Sequence, residues 1–227
     1  HPGEVVGLGG LDGQGQRELL LALFGVLRGV SGKVERDGLP ASIRDPSRAR
    51  LSQSGMALIP EDRKTEGLML PMSIGDNLCF SALDRVSSRG VLDRGAVARK
   101  IQEMIDLLQI KVASPDLPVS SLSGGNQQKV VIAKWLMNEP RVVLLNDPTR
   151  GIDVGTKQEI YALLRRLADS GVAILFYSTD YDELIGCCDR VMVMYGGAIV
   201  RELAGEAITE HALVASALNI NEGAVHG

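Results

Sequence analysis

At 227 residues the chain is long enough for one large domain, and it buries roughly 70–75% of its unfolded surface without a disulfide or metal staple. Its 45% hydrophobic and 23% charged residues are a globular balance and argue against wholesale disorder. Lys and Arg number 24 and Asp and Glu 28, a net charge of −4, so the footprint of a general nucleic-acid binder is missing.

In chain order, Glu4–Leu8 is a short β-branched run followed by glycines and reads as a strand. Gln16–Phe24 places Leu19, Leu20, Leu23 and Phe24 on one helical face, with Gly25 as the stop. From about residue 70 to 140 the pattern is mostly helical, with a Ser-, Arg- and Gly-rich loop at Asp84–Gly95. Within it, Arg99–Ile110 repeats Ile101, Met104, Ile105 and Leu108 as a core stripe, and Gly124–Met137 forms a second helix. Val142–Leu145 and Val172–Tyr177 are continuous apolar runs, as strands buried on both faces require. Thr156–Ala168 is a helix between them. Val191–Met194 and Ala198–Val200 flank a Gly-containing turn and read as an antiparallel hairpin. After about residue 204 a weak helix gives way to a tail expected to fray. Strand and helix alternating over this length make an α/β fold with a mainly parallel sheet and an inserted helical subdomain. No apolar run approaches the ~18–20 residues of a membrane span.

Cys79 stands alone and Cys187–Cys188 are adjacent, a spacing that suits neither a disulfide scaffold nor a zinc site. They read as small buried hydrophobes in a reducing compartment. Of the three histidines, His1 and His226 lie at the ends, which leaves no His-based metal site.

Two helix starts carry the chemistry. Gly10-Leu11-Asp12-Gly13-Gln14-Gly15-Gln16-Arg17 follows a strand and opens a helix, the context of a phosphate loop. Its glycines let successive N–H groups converge on an anion. The Gly10-to-Gly15 spacing fits, but Gln16 stands where the Lys belongs and Arg17 where the magnesium-binding hydroxyl belongs. The second start is Leu122-Ser123-Gly124-Gly125-Asn126-Gln127-Gln128-Lys129. There Ser123 caps the helix and the glycines expose backbone donors at its positive end, an anion site suited to a terminal phosphate. Further on, the strand Val142–Leu145 ends in Asn146-Asp147-Pro148-Thr149-Arg150-Gly151-Ile152-Asp153. A carboxylate at such a strand end is where a phosphate loop's magnesium and water are managed.

These segments resemble the nucleotide-binding domains of ATP-binding cassette transporters. The LSGGNQQK and PTRGIDVG wording is similar to the second cassette of the fused double-cassette subunits of bacterial monosaccharide importers. Ile59–Lys64 and Glu66–Leu68 match the same subgroup, and the likeness runs over about residues 3–203. It implies the P-loop ATPase core of the cassette type over residues 1–227, with ATP and Mg2+ as cofactors. The implied partners are a second cassette, transmembrane permease subunits and, indirectly, a periplasmic solute-binding protein. It also implies a peripheral position on the cytoplasmic face of the bacterial inner membrane. The family's first strands, and the aromatic residue that stacks on adenine, are expected ahead of residue 1.

In that family each ATP lies between the phosphate loop of one cassette and the signature of the other. The resemblance assigns Gly10, Gly13, Gly15, Gln16 and Arg17 to the loop. It assigns Ser123, Gly124, Gly125 and Asn126 to the signature, and Asp153 to the loop that communicates across the pair. The signature is intact save that Asn126 stands where Gln is common. The chain's own half-site is altered: Asn146 replaces the magnesium-supporting Asp, and Asp147 replaces the catalytic Glu. Glu61 replaces the Gln near magnesium and Asp180 the switch His. Asn lacks the charge magnesium favours, and an ionised Asp cannot donate as His does. Glu61 and Asp180 together are expected to repel a γ-phosphate. Arg63 and Lys64 read as solvated charges or as contacts for a membrane subunit. The expectation is a donor cassette that hydrolyses ATP poorly and lends its signature to a partner. A nucleoside importer and a non-hydrolytic bracing module are the alternatives.

Overall fold

The computed structural model describes residues 1–36, 39–40, 55–82, 87–88 and 91–220. Its centre is a six-stranded sheet. The strands are β1 (Val5–Gly9), β4 (Met56–Ile59), β7 (Val142–Asn146), β8 (Ala173–Tyr177), β9 (Arg190–Tyr195) and β10 (Ala198–Ala204). They run in the order β10-β9-β1-β8-β7-β4. β1 is parallel to both β8 and β9, and β7 is parallel to β8. β9 and β10 pair antiparallel. The expected parallel core and hairpin are therefore both present. Two two-stranded ribbons, β2 (Glu35–Arg36) with β3 (Leu39–Pro40) and β5 (Ser87–Ser88) with β6 (Val91–Leu92), stand outside it.

One compact unit holds this sheet and comprises His1–Leu58, Arg141–Asp147 and Leu164–Gly227. Val5, Leu8, Val143, Leu144, Leu145, Ile174, Phe176, Val191 and Val193 are buried in it, which is why β1 and β7 read as unbroken apolar runs. Helix α1 (Gln16–Phe24) leaves the loop after β1 and ends at Gly25, whose φ of 83° closes its last turn. The connection after β8 forms the helix Tyr181–Cys187, and beyond β10 comes Glu210–Ala217. The last helix packs on β9, with Leu213 fully buried. The weak helix expected after about residue 204 is present here, and Leu213, Ala215 and Ala217 give it an apolar face. Residues 221–227 of that tail, His226 among them, lie outside the described residues.

The second unit comprises Ile59–Pro140 and Pro148–Leu163. It contains α2 (Ile74–Cys79), α3 (Arg94–Leu107), α4 (Gly124–Leu136) and the first part of α5 (Val154–Asp169). α2 packs on α3 and α4 through buried Ile74 and Leu78. Ser73 caps α2, its Oγ accepting the Asp76 N–H at 3.0 Å while its hydroxyl donates to the Asp76 carboxylate at 2.6 Å. α3 starts at Arg94 rather than Arg99. The Asp93 carboxylate accepts the Gly95 and Ala96 N–H groups at 2.9 and 3.0 Å, a cap that ends the supposed loop early. Parts of that Asp84–Gly95 loop lie outside the described residues. α3 stops at Leu107 because Gln109 turns to φ 50°. No described helix is long and apolar enough to cross a membrane.

Candidate functional site

In the first unit the loop after β1 wraps the start of α1. Gly10, Gly13 and Gly15 take φ of 126°, 77° and 105°, values that only glycine adopts without strain. At Gly10 a side chain would also run into the Met194 carbonyl of β9. Gln16 is 1% exposed and points into the loop. Its Nε2 donates to the Leu11 carbonyl at 3.0 Å and the Gly9 carbonyl at 3.3 Å, and its Oε1 accepts the Gln14 N–H at 3.1 Å. A neutral amide thus fills the loop and occupies one of its backbone donors. Gln14 in turn binds the β9–β10 turn: its Oε1 accepts the Gly196 N–H at 2.7 Å and its carbonyl the Gly197 N–H at 3.1 Å. Arg17 is exposed at the first turn of α1. Asp12 places a carboxylate in the loop itself and accepts the Tyr177 hydroxyl at 3.0 Å.

Asn146 ends β7 with its side chain buried, and its Oδ1 has no hydrogen-bond partner. Asp147 follows at φ 44°, a left-handed conformation that costs a non-glycine residue on the order of 1–3 kcal/mol. It is buried, its N–H donates to the Tyr177 carbonyl, and its Oδ2 accepts the Thr179 hydroxyl at 2.8 Å. Asp180 is the cap of the helix Tyr181–Cys187, with its Oδ1 accepting the Asp182 N–H at 3.1 Å. A residue expected as a γ-phosphate switch therefore spends a carboxylate oxygen on its own helix. Below it, Ser178 is fully buried and donates to the carboxylate of buried Glu183 at 2.7 Å. The sequence reading missed both Glu183 and Asp12.

In the second unit, Ser123 caps α4. Its Oγ accepts the Asn126 N–H at 3.4 Å and the Asn126 Nδ2 at 3.1 Å, so its own hydroxyl hydrogen stays a donor. The Asn126 Oδ1 accepts the Lys111 N–H at 2.9 Å. The Asn126 amide is thus used within its own turn. Gly125 faces Thr156, whose Oγ1 would be 2.6 Å from a Cβ there. Thr156 is fixed by Asp153, which accepts its N–H and its hydroxyl at 2.9 Å each. The Thr156 N–H first, and then its hydroxyl, hold the Asp153 carboxyl below the usual carboxylate range. Ser123, Gly124, Gly125, Asn126 and Asp153 are therefore brought together around one helix start.

Glu61 belongs to this unit as well, and it is not a bare charge. It forms an ion pair with Arg150. Arg63 is half-buried. Its guanidinium lies over Gly124, with Nη2 2.8 Å from where a Cβ would sit, and its Nε is buried.

Comparison with known proteins gives this geometry its family. The family profile described as ABC transporter matches residues 1–150. A ribose import ATP-binding protein, RbsA 1, of Mesorhizobium japonicum is 71% identical over 96% of this chain and 42% of its own length. The namesake of Chelativorans sp. is 47% identical over 96% of this chain and 43% of its own length. That of Geobacillus kaustophilus is 42% identical, over 96% and 44%. The chain thus spans less than half the length of these relatives. Among solved structures, a nucleotide-free ATP-binding cassette from an ABC transporter superposes with a TM-score of 0.80 at 20% identity, covering 94% of this chain and 85% of that one. The cbiO1 protein of Clostridium perfringens, part of the cbiONQ transporter complex, gives 0.76 at 25% identity over 98% and 85%. The fold is the P-loop ATPase fold of such cassettes, and the chain belongs to the ABC transporter family.

Proposed function

We propose that this chain is the ATP-binding, energy-coupling part of a bacterial sugar importer, of the ribose-importing kind its relatives are named for. Its own phosphate-loop site is degenerate, and its Ser123–Asn126 helix start completes the ATP site of a partner cassette. That the chain spans 42% of a relative 71% identical to it is consistent with a second cassette in the same polypeptide. Permease subunits, a periplasmic solute-binding protein and a place at the cytoplasmic face of the inner membrane follow from that reading.

The observation that carries it is the contrast between the two helix starts. At α1 the residues do not fit a magnesium nucleotide. The cationic Arg17 stands where a hydroxyl ligand is needed, and a magnesium ion favours an anionic oxygen that Asn146 does not have. The buried Asn146 Oδ1 has no partner of its own, and Gln16 is committed to the loop's own backbone. Asp12 and Asp147 add negative charge where phosphates are to lie. At α4, by contrast, the cap, the glycines and the Asp153–Thr156 clamp keep a helix start whose first N–H groups have no intrahelical acceptor.

The test uses the full tandem protein. Ser123→Arg is expected to reduce magnesium-dependent ATP turnover by about 100-fold or more, as loss of a charge-stabilising element does. Asp147→Asn is expected to leave turnover within about twofold, because a site that contributes no chemistry loses none. Equal losses in the two variants, or brisk turnover by the present chain alone, would reject the donor reading.

A further inference from the structure

Arg63 is held over the first turn of α4 by a single wide helical turn, Arg63–Gly67. Asp62 sets that turn, its carboxylate accepting the Lys64 N–H at 2.8 Å, the Thr65 N–H at 3.4 Å and the Thr65 hydroxyl at 2.8 Å. Gly67 seats the turn on α4: a Cβ there would be 2.8 Å from the Val131 side chain, and its carbonyl accepts Lys134 Nζ at 2.8 Å. With the turn fixed in this way, the guanidinium occupies the space that the missing side chain of Gly124 leaves open. Its Nε is buried and makes no hydrogen bond. Among the described residues no carboxylate pairs with this guanidinium. Two neighbouring cations, Lys129 and Arg150, are paired with Glu159 and Glu61.

A cation over the positive end of a helix gains nothing from that dipole, since like charges face one another. Placed together, the guanidinium, the Ser123 hydroxyl and the first amides of α4 are complementary to an anion. We propose that Arg63 binds the terminal phosphate of the nucleotide that a partner cassette presents to Ser123–Asn126. This rests on the donor reading above and adds a cation to it. A side chain at Gly124 would push the guanidinium out of this position. Arg63 is thus a binding residue of the site in trans, and it gives that site a preference for nucleoside triphosphate over diphosphate.

The experiment uses the full tandem protein, with steady-state turnover against MgATP concentration and with binding of fluorescent ATP and ADP analogues. Arg63→Gln is expected to weaken ATP binding about tenfold or more and raise KM, while ADP binding stays within about twofold. Arg63→Lys keeps the charge without the fork and is expected to recover part of the loss. Gly124→Ala, which displaces the guanidinium while retaining Arg63, is expected to show the same ATP-selective loss. A loss in Arg63→Gln that is equal for ATP and ADP, or no loss at all, overturns the assignment when Ser123→Arg abolishes turnover. Full turnover in Ser123→Arg instead brings down the donor reading, and the role of Arg63 with it.

Discussion

Gln16 shows how one neutral side chain can hold a glycine-rich loop together from within. Its amide satisfies the Leu11 and Gly9 carbonyls as a lysine ammonium could, yet it brings no charge and takes up the Gln14 N–H. Gln16→Lys alone is therefore expected not to confer turnover on the chain, because Arg17 and Asn146 still provide no anionic ligand for magnesium. A measured magnesium-dependent ATPase in that variant would contradict this. Gly10→Ala is expected to cost at least about 2 kcal/mol in urea unfolding, since φ 126° and the Met194 carbonyl both exclude a side chain. Burial pushes the Cys187 thiol up to about 11 and Cys188 higher still. At pH 8 both should therefore react more slowly with a thiol-specific disulfide reagent in the folded chain than after unfolding. Gln16, Arg17, Asn146 and Asp147 were legible because a motif fixes their spacing. Arg150 beside Glu61 and Arg63 over Gly124 were not, because side chains that meet across such sequence distances leave no local pattern.

Elements were legible in proportion to their length and periodicity. α4 and α5 came within a few residues of their ends, because caps and 3.6-residue stripes mark them. β4 went unnoticed: four residues ahead of Pro60 carry no alternation, and it is the neighbours in a sheet that make them a strand. α2 was hidden for the same reason, being six residues long and stabilised by packing on α3 and α4 rather than by propensity. Its cap is the local signal that survives. Ser73→Ala should therefore lower stability by about 1 kcal/mol, read as a shift in the urea midpoint with an unchanged slope.

At the scale of the whole molecule, alternation of strand and helix was enough for the parallel core. The order of its strands was not legible, since β1 lies between β8 and β9, far away in sequence. Ion pairs reinforce that long-range closure at the edge of the first unit. Arg190 pairs with Glu4 before β1 and with Glu202 on β10. Its hydrogen bond holds the Glu4 carboxyl below the ordinary value, against the opposing effect of burial. A carboxyl lowered on folding stabilises the native state above its unfolded pKa, and that contribution fades as the pH falls through the lower folded value. Glu4→Gln should therefore lower the melting temperature at neutral pH. The gap to the unmodified protein should close in acid, below about pH 4.5. A gap that stays constant across that range would show that the pairing is not its source.

The tie between Gln14 and the tip of the β9–β10 hairpin reaches beyond the loop it joins. Gly196 and Gly197 sit on an open, glycine-only bend, where backbone protons ordinarily swap with water almost freely. Here each is held by an oxygen of Gln14. Deuterium uptake at those two positions should be slow, and replacing Gln14 by Ala should release the Gly196 proton first, turning a quiet bend into a reporter of the loop's integrity.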